Sequence, residues 1–100
     1  MDMTGAAARG DERARTITLD SESLTIMVNV VPNDDGTYRL DGWLAPPASH
    51  PIELRTGGRT LLTESDVRGR FAFEAVAADT VQLVVRPGPS RTVTTPTFSL

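Results

Sequence analysis

The chain is predicted to fold as an all-β protein, a single antiparallel β-sandwich of about seven or eight short strands. Three observations predict it. Apolar and polar residues alternate over short runs, as in Leu24 to Val31 and Val81 to Arg86, which is the period-two pattern of half-buried strands. Turn-forming groups recur every ten residues or so: Asn33-Asp34-Asp35-Gly36, Gly57-Gly58, Asp66 to Gly69 and Pro87-Gly88-Pro89-Ser90. No segment carries a helical apolar period, which argues against alternating β and α units.

Size and charge bound the function. With 100 residues, 39% of them hydrophobic, the chain is long enough for one domain with a modest core and too short for two. It has no cysteine, which rules out a disulfide framework, a thiolate metal site and a thiol nucleophile. All the basic residues are Arg, and the net charge of -3 argues against nucleic acid as a partner, because phosphate contacts need a basic excess. Neither a signal peptide nor a membrane segment is legible, so a cytoplasmic protein is expected. Residues 1–15 are rich in Ala, Gly, Asp, Glu and Arg without apolar anchors and are expected to form a disordered tail, leaving 16–100 as the sandwich domain.

In chain order, Thr16 to Asp20 alternates with Ile17 and Leu19 on one face, and Asp20 to Ser23 supplies a turn. The longest strand follows, Leu24 to Val31, with Leu24, Ile26, Val28 and Val30 in one row, and stops at Pro32, which has no amide to donate. A three-residue loop, Asp34-Asp35-Gly36, is preferred to a two-residue one because it sets Val30 opposite Leu40 and Ile26 opposite Leu44, keeping apolar rows together. Gly36 is then expected at positive φ. Ala45 to Pro51, with its three prolines, reads as a crossover. Gly57-Gly58 closes a hairpin that sets Leu54 opposite Leu61 and Ile52 opposite Thr63. After the Asp66 to Gly69 turn, Phe71, Phe73 and Ala75 form one row, and Val81, Leu83 and Val85 another. Arg91 to Leu100 is expected as a last strand, disturbed at Pro96. The expected core is Ile26, Val28, Leu40, Leu54, Phe71, Phe73, Leu83 and Val85.

The stretch from Leu40 to Val85 resembles a carboxypeptidase regulatory-like domain, a Greek-key, transthyretin-like β-sandwich. Gly42, Pro46-Pro47, Ile52 and Leu54, Thr63, Asp66, Gly69-Arg70-Phe71, Phe73, Val76, Leu83 and Val85 carry the resemblance, and Asp79 stands where that family usually has Gly. Thr16 to Leu100 also resembles the C-terminal part of small bacterial proteins found beside sigma factors and CHAT-type peptidases, through RTITLD, LTIMVNVVP, LDGWLAPP, IELRTGG, GRFAFEAV and VTTPTFSL. The resemblance implies a non-enzymatic partner role, with a sigma factor or CHAT-type peptidase as the linked protein.

Candidate sites reduce to one surface. His50 is the only histidine, has no second ligand at metal spacing, and no nucleophile-elbow motif supports a serine, so neither catalytic residue, cofactor nor metal is expected. A transthyretin-type hydrolase would need several histidines and a C-terminal Tyr-Arg-Gly-Ser, whereas this chain ends Thr97-Phe98-Ser99-Leu100. Asn33 to Gly36 lacks EF-hand spacing and reads as a hairpin turn. Arg55, Arg59, Arg68 and Arg70 are diluted by Glu53, Glu64 and Glu74, with Arg70 expected to face Glu64. By strand parity Trp43 points outward, directly across from Met27, with Val31 and Thr25 on the same face. An exposed Trp beside a Met is the composition of a protein-binding hot spot, for a partner or for self-association. A weaker outward row is Leu62, Ala72 and Val84. Two other roles are a structural spacer or regulatory domain orienting a peptidase or surface protein, and peptide binding by strand addition at the Arg91 to Leu100 edge.

Overall fold

A computed structural model describes residues 14–100. Nine strands follow in order: β1 Arg15–Asp20, β2 Thr25–Pro32, β3 Tyr38–Ala45, β4 Pro51–Arg55, β5 Thr60–Glu64, β6 Arg70–Val76, β7 Thr80–Gly88, β8 Arg91–Thr94 and β9 Phe98–Ser99. They form two packed antiparallel sheets, β1-β2-β3-β6 and β5-β4-β7-β8, with β9 pairing to β7. There is no helix among the described residues, none therefore long and apolar enough to cross a membrane. The tail expected over 1–15 lies, for residues 1–13, outside the described residues; Arg15 itself opens β1 opposite Val30.

Both hairpin registers follow from apolar parity. Val30 pairs with Leu40, Ile26 with Leu44 and Met27 with Trp43. The three-residue loop is closed by the Asn33 N–H donating to the Thr37 carbonyl at 2.8 Å, with Gly36 at φ 90°. In the second hairpin Leu54 pairs with Leu61 and Ile52 with Thr63. Gly57 is needed there because its N–H approaches the Asp79 carboxylate at 3.0 Å, and a Cβ would lie 2.9 Å from that oxygen. Asp79 thus ties two loops together.

All eight expected core residues are buried between the sheets, joined by Leu24, Val30, Leu44, Ile52, Val76 and Val81. Gly42 faces Phe71 across β3 and β6, and a Cβ on it would fall 2.1 Å from the ring, so the absence of a side chain lets the ring lie against the β3 backbone. Phe71 and Phe73 meet edge to face with centroids 6.2 Å apart.

Four expectations need correction. Ala75 is exposed and Val76 buried instead, because β6 carries a bulge: Phe73 pairs with Leu40 but Val76 with Tyr38, so one extra residue shifts the inward row. Arg70 does not face Glu64, since β5 and β6 lie in different sheets; Arg70 stands opposite Trp43. Leu62, Ala72 and Val84 do not form a row, Ala72 being in the other sheet and Val84 fully buried. Finally, Arg91 to Leu100 is two short strands, because Thr95 interrupts the ladder: its Oγ1 accepts the Leu83 N–H at 3.0 Å and Pro96 follows without an amide to donate. No long edge remains there for strand addition.

Candidate functional site

The outer face of the first sheet collects the residues singled out from sequence parity. Register places Thr18, Met27, Trp43 and Arg70 in one row across β1, β2, β3 and β6. Met27 and Trp43 are each 39% exposed, side by side. Thr25 lies one row away opposite Ala45, half-buried, its hydroxyl donating to Asp20 Oδ1 at 2.7 Å. Val31 lies at the other end of the face opposite Arg39, also half-buried. The structure therefore brings all four to one surface, with Met27 and Trp43 at its centre and the other two at its margins.

The charged neighbours of Trp43 are held in ion pairs. The Arg39 guanidinium holds Asp41 in a bridge of 2.9 Å, and this pairing keeps Arg39 protonated more strongly than usual. Arg70 leans to Asp66 at 3.6 Å. Asp66 in turn accepts the N–H groups of Arg70 and Arg68, both at 2.9 Å, across the turn that Gly69 makes at φ 82°. Those amides, the Arg70 one foremost, hold its carboxyl below the usual range. Beside Trp43, Asn29, Asp41 and Arg70 border a shallow depression of about 250 Å³. An aromatic plane, a thioether and a rim of polar groups at one level suit a flat protein surface.

Parity found this face, but Arg70's place in it was missed, because its sheet neighbour is decided by the crossover between β5 and β6, which no local pattern reports. Several other polar residues have structural partners. Ser65, only 2% exposed, donates its hydroxyl proton to the Ala48 carbonyl at 2.6 Å and accepts the His50 N–H at 2.8 Å, clasping the proline crossover. Asn33 donates to the Glu74 carbonyl at 2.9 Å, and Asp35 accepts from the Thr37 hydroxyl and amide, which lowers its pKa. No group of three His, Asp or Glu side chains that could hold a metal ion occurs among the described residues. Comparison with protein-family models, with curated proteins and with solved structures finds no match to this chain.

Proposed function

We propose that this chain is a non-catalytic binding or assembly module that contacts a protein partner through the outer face of its first sheet, centred on Met27 and Trp43. The observation that carries the reading is the adjacency of those two side chains, each 39% exposed, on a strand face whose other residues are short or engaged elsewhere. A Trp in such a place offers large contact area at little entropic cost, and hot spots of this kind are worth about 2 kcal/mol or more on truncation. The commitment of Ser65 to Ala48 and His50 supports a non-enzymatic role by removing the one buried hydroxyl near the histidine.

The sequence resemblance to carboxypeptidase regulatory-like domains and to proteins beside sigma factors and CHAT-type peptidases belongs to the same proposal. A partner of that kind, encoded nearby, would be met in the cytoplasm. Trp43→Ala tests the reading. Binding of the purified chain to each neighbouring gene product, followed by titration, should weaken by at least about tenfold while the far-UV circular dichroism stays unchanged. Affinities that survive the substitution unaltered overturn it.

A further inference from the structure

The second sheet carries a different kind of surface, made of backbone. Hydrogen bonds from Thr56 N–H to the Arg59 carbonyl, 2.9 Å, and from Ser65 N–H to the His50 carbonyl, 3.0 Å, bracket the β4–β5 ladder. Because bonding alternates along an antiparallel pair, Arg59, Leu61, Thr63 and Ser65 turn their backbone groups to β4. Thr60, Leu62 and Glu64 turn theirs to the open side.

The other edges are guarded and this one is not. On β6, Arg70 exchanges bonds with Asp66 at 2.9 Å in both directions, the Glu74 carbonyl is taken by Asn33, and the bulge breaks the line. Edge strand β8 is four residues long, its register with β7 shifts, and Thr95-Pro96 ends it. Along β1, Thr16, Thr18 and Asp20 also turn their backbone groups outward, but the charged Arg15 shares the inward parity of Ile17 and Leu19, the device of an inward-facing charge, and reaches to the Ser99 carbonyl. Strand β5 has no proline, no lysine, no bulge and no inward-facing charge, the devices that normally keep edges apart. Its outward Leu62 is 73% exposed.

We propose that β5 pairs antiparallel with β5 of a second copy of this chain, about a two-fold axis at Leu62, fusing their second sheets into one. The segment is self-complementary in this register. A two-fold axis normal to the sheet keeps inner and outer faces aligned only when residues of equal parity pair. Leu62 then meets Leu62 of the second copy, and Thr60 meets Glu64, so the three free residues each donate and accept once across the axis. Charge does not oppose this register. Glu64 of the second copy meets the neutral Thr60, and the next residue in that row, Arg55, is of opposite sign and already within 3.8 Å of Glu53, so no like charges are set opposite each other. A five-residue strand pair buries less than the roughly 1,200 Å² of a stable interface, so the dimer is concentration-dependent.

Sedimentation velocity on the full chain over a wide concentration series tests this. The unaltered chain should shift from monomer to dimer. Leu62→Pro removes a donor that β4 does not use, and Leu62→Lys sets like charges opposite each other; each should weaken the dimer about tenfold or more without unfolding the domain. Since the chain has no cysteine, register is read by oxidation: Leu62→Cys should cross-link to its own copy, and Thr60→Cys, opposite Glu64, should not. A chain that stays monomeric throughout, a dimer indifferent to Leu62→Lys but lost in Trp43→Ala, or Thr60→Cys cross-linking as fast as Leu62→Cys overturns the proposal.

Discussion

Outward positions at the centres of the two sheets follow the same parity rule and end in opposite states. On the first, Trp43 and Met27 stand outward and are exposed; on the second, Val84 stands outward and is fully buried. The neighbours decide. Around Val84 the adjoining outward positions hold Glu53 and Thr94 across the ladder and Gln82 and Arg86 along β7, and they are tied to one another and to the backbone. Arg86 bridges Glu53 at 2.5 Å, and Gln82 donates to the Thr95 carbonyl at 2.9 Å, so long side chains close over the valine. Around Trp43 the neighbours are short, or, like Asp41 and Arg70, stand at the rim of the depression beside the ring, paired with Arg39 and Asp66 and not closed over it. An outward position is thus not an exposed one until its neighbours' partners are known.

Substitutions test that contrast. The largest effect removes what both faces rest on: Phe73→Ala opens the core between the sheets and should cost roughly 3 to 5 kcal/mol, read as a lowered urea midpoint. An unchanged midpoint would take Phe73 out of the core. Next, Val84→Ala should cost about 2 kcal/mol, or about 1 kcal/mol for each of the two methyl groups removed, whereas Trp43→Ala, which deletes a far larger but 39% exposed side chain, should cost less for each atom removed. Equal costs per atom at the two positions would erase the distinction between a covered and an open position. The smallest effect is acid sensitivity of the turns that flank the first sheet. Asp66 and Asp35 both have lowered folded pKa values, so their contribution is complete above the ordinary carboxylate value of about 4 and is lost as pH falls through the folded values. Thermal melts should therefore drop more steeply below about pH 4 for the unaltered chain than for the Asp35→Asn/Asp66→Asn double variant. Parallel curves would show that neither turn contributes.

Much of the architecture was legible because strand parity and turn chemistry are local. Choosing the loop at Asp34 to Gly36 by keeping Val30 against Leu40 was enough to bring Met27 and Trp43 together, and the Gly57-Gly58 hairpin followed the same logic. The errors share one cause. Ala75 was misplaced by a bulge whose extra residue is accommodated by Asn33 from another hairpin, and Arg70 was misassigned because consecutive strands β5 and β6 do not pair. The break at Thr95 depends on a hydroxyl meeting the Leu83 amide, a contact between strands.

By itself the sequence determined the class of fold, both hairpin registers and the direction in which Trp43 and Met27 point, since each depends on residues close along the chain and on a period of two. Which strands share a sheet, which of them lie at its edges and which outward side chains are covered are set by the packing of the whole chain. Those depend on crossovers and on ion pairs between distant strands, whose energies no local pattern encodes.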